Sequence, residues 1–417
     1  MKFIHAADLH IDSPLRGLDT YEGAPVDLLR GATRRALIGL VDLAMREKVD
    51  LVLLAGDIYD RELGDFRAAL FFREQMIRLT SADIRVFIVK GNHDAEGQIS
   101  KRLPDVEGVH VFSSRVAEVI DLADLGVAVH GKSFPERFVS EDLVPSYHES
   151  VPGRFNIGML HTSLTGRIGH EPYAPTNMAT LINKGYDYFA LGHVHAREVV
   201  RETNPRIVFP GNLQGRHVGE TGSKGCELVT VAGNIITHSE HISLDVVRWH
   251  NLPVDVTGLE TVNELALKFQ ELCKGCVVGA QDRLHAIRIL VQGESPLHAL
   301  EARDPGSIVA AIQAATQDFT LADLWIESVR LDLQSPIDRE SAAQRPDAIG
   351  EVVRLVNELA SDEKMLQTWV LASLDKLPHL PSELEDVNSS KLTAKELRAY
   401  LSDAEATVLS KLSAAQG

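Results

Sequence analysis

In the first half of the chain, apolar residues fall in short runs that end in glycine, aspartate or asparagine, with helix-period stretches between them. The runs predict strands at Lys2–Ala7, Leu51–Ala55, Arg85–Lys90, Gly126–His130, Phe155–Leu160 and Tyr186–Leu191. Apolar positions three and four apart predict helices over Arg34–Glu47 and Phe66–Leu79. Strand alternating with helix is the pattern of a layered α/β domain. From Val199 to about Val247 the helical period disappears, and Asn-Pro, Pro-Gly-Asn and Ala-Gly-Asn turns cut β-rich runs expected to complete a second sheet packed on the first.

The pattern changes around Leu252–Thr261. Helices over Val262–Leu272 and Ser307–Thr316 alternate with strands over Leu284–Gln292 and Trp325–Leu333, which predicts a small α+β module. After Ser335-Pro336 only helical periodicity remains, in Asp347–Leu374 and Ala394–Leu412. The expected domains are therefore residues 1–250, 251–335 and a helical region at 340–417.

Composition narrows the function. A chain of 417 residues is too long for one core, and 44% hydrophobic with 24% charged residues reads as globular. No apolar run approaches the ~20 residues of a membrane-spanning helix. Asp8 interrupts the N-terminus before a signal-like segment forms, and three cysteines cannot build a disulfide scaffold. A reducing cytoplasm and no membrane are the expectation. A net charge of −17 rules out a generally basic nucleic-acid grip. A phosphodiester substrate would need local positive charge from arginines, metal ions or a partner.

Five segments place polar, ligand-type residues directly after apolar strands: Asp8-Leu9-His10, Gly56-Asp57-Ile58-Tyr59-Asp60, Gly91-Asn92-His93-Asp94, Leu160-His161-Thr162 and Gly192-His193-Val194-His195. Loops at the carboxyl ends of strands in α/β sheets converge on one crevice, so these distant positions can meet. The donors are oxygen and imidazole without thiolate, which suits Mn²⁺, Fe²⁺ or Zn²⁺ rather than a structural thiolate site. In Asp8-x-His10 and His193-x-His195, residues two apart are expected to share a face in extended backbone.

D-x-H, G-D-x-x-D, G-N-H-D, a lone H and G-H-x-H together resemble the signature of calcineurin-like metallophosphoesterases. The opening Ile4 to Leu15 and the later Pro210-Gly211-Asn212-Leu213-Gln214-Gly215-Arg216-His217 are similar to the YhaO-type branch of the SbcD-like bacterial DNA-repair exonucleases. The resemblance implies a two-sheet sandwich flanked by helices at 1–250, a small α+β capping domain and a helical tail. It implies two divalent ions, Mn²⁺ first, with Fe²⁺, Zn²⁺ or Mg²⁺ as alternatives. Asp8, His10 and His195 would hold one; Asn92, His161 and His193 the other; Asp57 would bridge them. It further implies His93 facing the scissile phosphate with Asp60 orienting it, and Asp94 fixing the loop. Arg216 and His217 read as a phosphate clamp at the mouth.

The activity so implied is DNA exonuclease cleavage, with endonuclease capacity, in repair. The implied partners are DNA, a second copy through Phe66–Leu79, and an SMC-like P-loop ATPase of YhaN or SbcC type docked on the tail. Two other readings stand beside it. One is a phosphatase or cyclic-nucleotide phosphodiesterase with the same core: Asp60-Arg61 fits it, while Glu62 and Asp94 depart from the phosphatase pattern. The other is a docking scaffold with secondary catalysis. Cys273-Lys274-Gly275-Cys276 has no second pair to complete a zinc site, and His5, His110, His130, His170, His238 and His241 read as structural or surface residues. Arg34-Arg35, Arg61 and Lys101-Arg102 are candidates for a DNA-facing surface.

Overall fold

The computed structural model describes residues 1–13, 23–60, 66–95, 105–164, 173–336, 338–374 and 393–414. Arg61, Glu62, Lys101, Arg102 and His170 lie outside them, as does the end of the opening motif from Pro14.

Twelve strands build two six-stranded sheets. In chain order they are β1 (Lys2–Ala6), β2 (Leu51–Ala55), β3 (Arg85–Val89), β4 (Val109–Val111), β5 (Glu118–Leu122), β6 (Val127–Gly131), β7 (Phe155–His161), β8 (Tyr188–Gly192), β9 (Glu198–Arg201), β10 (Arg206–Phe209), β11 (Gly225–Ala232) and β12 (Ile235–Ser243). The first sheet runs β12-β11-β1-β2-β3-β4, the second β5-β6-β7-β8-β10-β9. β1 through β4 are parallel, as are β6, β7, β8 and β10.

Alternation explains the layering. On β2, Leu51, Leu53 and Ala55 pack between the sheets with Phe3, Phe87, Ile157, Tyr188 and Val208. Val52 and Leu54 face the other way, onto Leu37, Leu40, Val41 and Met76 of the helices Ala32–Glu47 and Phe66–Thr80. A strand buried on both faces must be apolar throughout, which is why Leu51–Ala55 reads as an unbroken run. The first helix stops at Lys48, which turns left-handed (φ 50°) and bonds back to the Ala44 and Met45 carbonyls. Beyond the second sheet, Leu160, Phe189, Leu191 and Phe209 pack with Phe134, Tyr147 and Tyr173 from the loops.

The late β-rich stretch corrects one expectation. Only β9 and β10 join the second sheet; β11 and β12 return to the first, where β11 pairs antiparallel with β1. Left alone, β1 would be a buried open edge, and Val229 and Val231 of β11 extend the core between the sheets.

The chain divides into two units. Residues 1–250, 280–287 and 322–327 form the first; 251–279, 288–321 and 328–417 form the second. β13 (Val247–Asp255), β14 (Leu284–Glu294) and β15 (Asp323–Gln334) make a three-stranded sheet. In the second unit, Thr261 caps the helix Val262–Val277 with a full capping box to Glu264. The helix Ala394–Ala414 packs against Leu297–Arg303, an element the sequence pattern does not reveal. The expected helix Asp347–Leu374 is two, Ala348–Ser361 and Glu363–Leu374. Asp362 leaves helical backbone (φ −127°, ψ 109°), and its carboxylate accepts from the amides of Lys364 and Met365, starting a new helix. Among the described residues, no helix is long and apolar enough to cross a membrane.

Candidate metal centre

Parallel strands bring their carboxyl ends to one edge. Asp8 follows β1, Asp57 follows β2 and Asn92 follows β3; His161 ends β7, and His193 and His195 follow β8. The expected extended alternation is not how the paired residues converge. Asp8 (φ 52°), His10 (φ 43°), Asp57 (φ 52°) and His193 (φ 100°) all have positive φ. Such backbone costs a non-glycine residue on the order of 1–3 kcal/mol and persists only where neighbours over-determine it. Here the Asp8 and His10 amides donate to the Gly56 and Asp57 carbonyls at 3.0 Å, crossing from the β1 loop to the β2 loop. The Asp94 carboxylate accepts from the amides of Ile58, Tyr59 and Gly91 at 3.1–3.2 Å, fixing the β2 and β3 loops as expected.

Two glycines make room. A side chain on Gly56 (φ 95°) would overlap the His161 imidazole, and one on Gly192 would run into the Ala55 carbonyl of the opposite sheet. The sheets meet there, backbone against backbone.

All seven expected ligands come together. Asp8, His10 and His195 offer atoms within 4.8 Å of one another, as do Asp57, His161 and His193. The Nε2 atoms of His10 and His195 lie 3.1 Å apart. Asp57 Oδ2 stands between the groups, 3.5 Å from His161 Nε2 and 3.9 Å from His10 Nε2. Asn92 Oδ1 is 3.0 Å from His161 Nε2.

Proton bookkeeping tests whether these residues fit a cation. His161 Nδ1–H donates to the Ala55 carbonyl at 2.9 Å, so a neutral ring aims its Nε2 lone pair at Asp57 and Asn92 oxygens. The backbone amide of His193 donates to both Asp8 oxygens at 3.0 Å, orienting the carboxylate inward. His10 Nδ1 is buried with no hydrogen-bond partner, and its Nε2 faces another imidazole nitrogen. Lone pairs converging without protons between them are what a divalent ion satisfies, and oxygen and imidazole donors fit Mn²⁺, Fe²⁺ or Zn²⁺.

The electrostatics carry the same imbalance. Burial lifts the Asp8 carboxyl to about 6, with Asp57 adding to the rise and the His195 and His161 rings opposing it. Burial also pushes the His10 ring well below the usual range. His161 resists its own burial because the Asp57 carboxylate beside it raises the ring to about 9.

Beside the ligands, His93 Nδ1 is 2.9 Å from Asp60 Oδ1, and Ser13 Oγ donates to Asp60 Oδ2 at 2.7 Å. The His93 amide donates to Asp57 Oδ1 at 3.0 Å. Burial opposes protonation of His93, yet Asp60 and Asp57 raise its pKa. Arg216 reaches this pair, with Nη1 3.5 Å from Asp60 Oδ2. His217 does not: its side chain is 64% exposed on the loop, accepting from the Gly219 amide. His10, Asp60 and His93 form a third group of donors, but the Arg216 guanidinium already sits against Asp60 there.

The calcineurin-like phosphoesterase family matches residues 1–197, and the middle domain of metallophosphoesterase YhaO matches residues 249–334. The uncharacterized metallophosphoesterase YhaO of Bacillus subtilis is 34% identical over 340 residues, covering 80% of this chain and 81% of that protein. This chain is a calcineurin-like metallophosphoesterase of the YhaO family. More distant is the DNA double-strand break repair protein Mre11 of Sulfurisphaera tokodaii, 23% identical over 64% of this chain and 69% of its own length. The Mre11 of Methanocaldococcus jannaschii is 23% identical over 66% of this chain and 74% of its own. Calcineurin-like phosphoesterases use a dinuclear metal centre, and the two donor groups of this metallophosphoesterase supply candidate positions for it.

Sequence reasoning missed Glu220, whose carboxylate bonds both His195 and Arg216, and Lys224, whose Nζ donates to the His195 carbonyl at 2.7 Å. Neither lies in a ligand motif; only the nearness of Glu220 to Arg216 hinted at pairing. Other histidines of this phosphoesterase find partners elsewhere: His5 bonds Tyr188 and the Leu191 carbonyl, His130 Nε2 bonds Asn156, His110 and His238 lie against carboxylates, and His241 Nδ1 is 3.6 Å from Glu227. Cys273 and Cys276 are free thiols in the last turns of the Val262–Val277 helix. Arg34 is tied up in a bidentate pair with Asp12 and lies over Phe71.

Proposed function

We propose that this metallophosphoesterase is a two-metal-dependent DNA phosphodiesterase, an exonuclease with endonuclease capacity that acts in DNA repair. The observation that carries the reading is the convergence of seven oxygen and imidazole donors, protons withheld, around Asp57. Asp8, His10 and His195 would hold one ion, Asn92, His161 and His193 the other, with Asp57 shared between them. When bound, such ions lower the pKa of a water and stabilise in-line displacement at phosphorus. With ions held there, the site would carry the local positive charge that a phosphodiester needs on an otherwise acidic protein.

His93 then protonates the leaving oxygen. Its raised pKa keeps the ring charged to higher pH, and the Asp60 contact to Nδ1 turns Nε2 outward. Arg216 braces Asp60 and offers positive charge at the phosphate. DNA as the substrate class rests on the Mre11 relatives.

Homodimerisation through the Phe66–Thr80 helix is supported by Phe66, Leu70 and Ile77, exposed at helical spacing while Ala69, Met76 and Leu79 are buried. An SMC-like ATPase is the proposed second partner, docking on the tail, where Met365 and Trp369 are exposed one turn apart. In this reading residues 251–335 are the small α+β domain and 340–417 the helical region.

The test is product analysis on end-labelled linear duplex with Mn²⁺, Mg²⁺ or chelator. Nucleotide release that requires Mn²⁺ and disappears in Asp57→Asn is expected. Hydrolysis of a simple phosphate monoester with intact DNA would instead make the protein a phosphatase.

A further inference from the structure

Glu220 is buried, and five donors surround its carboxylate. Oε1 receives His195 Nδ1–H at 2.7 Å and Arg216 Nη2–H at 2.8 Å. Oε2 receives the Arg216 amide at 2.8 Å, Asn212 Nδ2–H at 2.9 Å and Arg216 Nε–H at 3.3 Å. Arg216 Nη2 also lies 3.2 Å from His195 Nδ1, so the ring nitrogen has two candidate neighbours, one an acceptor and one a donor. The acceptor wins. The contact to the carboxylate is shorter and charge-assisted, and an unprotonated Nδ1 would leave two lone pairs facing each other at 2.7 Å. His195 therefore carries its proton on Nδ1 and presents the Nε2 lone pair towards His10.

We propose that Glu220 is a positioning residue for both halves of the centre: it fixes the tautomer and direction of His195 and seats Arg216 against the Asp60–His93 pair. The inference rests on the two-metal reading above and adds a residue to it. It also explains why Arg216, the nearest guanidinium, does not take the opposite side and force the proton onto Nε2. In Glu220→Gln the single amide oxygen goes to the Oε2 side, where the Arg216 amide, Asn212 Nδ2–H and Arg216 Nε–H converge, and the amide N–H turns to His195 Nδ1. The ring proton then moves to Nε2, where a cation should bind.

Mn²⁺ titration of the full-length protein by calorimetry tests this, with circular dichroism melting as a check on folding. The wild type is expected to take two ions. Glu220→Gln should weaken one of them about 10- to 100-fold and leave the other unchanged. In the metal-free protein, ¹⁵N-histidine spectra should show His195 protonated on Nδ1 in the wild type and on Nε2 in Glu220→Gln. Two ions bound by Glu220→Gln as tightly as by the wild type overturn the role of Glu220. So does a His195 ring still protonated on Nδ1 in Glu220→Gln. A wild type that takes up no Mn²⁺ overturns the two-metal reading itself.

Discussion

His5 and His161 make an instructive pair. Both are buried on neighbouring layers of the same sandwich, and both donate a ring N–H to a backbone carbonyl, of Leu191 and Ala55. Their second nitrogens differ. That of His5 meets the Tyr188 hydroxyl at 3.0 Å, which can donate to it. That of His161 meets only oxygens of Asp57 and Asn92. Accordingly burial takes the His5 pKa down to about 4, the Glu227 charge and the Leu191 carbonyl only moderating it, whereas Asp57 overcomes burial at His161. A buried histidine whose protons balance is structural; one whose lone pairs accumulate is waiting for a cation.

The largest break in that contrast comes from exchanging the roles. His161→Ala should abolish one Mn²⁺ site and lower phosphoesterase turnover by more than about 10³-fold, the scale of losing a metal's charge stabilisation. Metal counting and turnover on one preparation check it; two ions retained would remove His161 from the centre. The next effect separates binding from chemistry. His93→Ala should keep both ions but lose about 10²–10⁴ in turnover, as expected for a general acid. Loss of metal instead would make His93 a ligand.

The smallest effect sits on the structural side. His5 has a folded pKa of about 4 against an ordinary 6.5, so folding favours the neutral ring. Its contribution is complete above pH 6.5 and falls as pH drops towards 4, by about 1.4 kcal/mol per unit. His5→Gln should flatten that slope in urea unfolding measured between pH 7 and 4. It should cost about 1–3 kcal/mol at neutral pH, because Tyr188 and Leu191 lose a well-placed partner. An unchanged acid slope would show that His5 is not the titrating group.

Much of this was readable beforehand because parallel strands simplify the problem. Leu51–Ala55 is predicted to the residue, and each ligand motif sits where a buried apolar run stops. The convergence of Asp8, Asp57 and His193 follows from strand direction alone. Local conformation was less accessible: nothing in Asp8-x-His10 distinguishes extended from left-handed backbone, since the cross-loop bonds to Gly56 and Asp57 decide it. Glu220 was invisible for a similar reason, being 25 positions from the ring it orients. The return of β11 to β1 and the break at Asp362 depend on an unpaired edge and on one side chain choosing a cap over the helix interior.

The bare α-carbon of Gly192 against the Ala55 carbonyl acts as a gauge block between the layers. Because main-chain thickness rather than side-chain reach sets the gap at that point, the separation of the two sheets there is a property of the scaffold. Exchanging one ligand for another can therefore alter the donor set while the layers that carry it keep their separation.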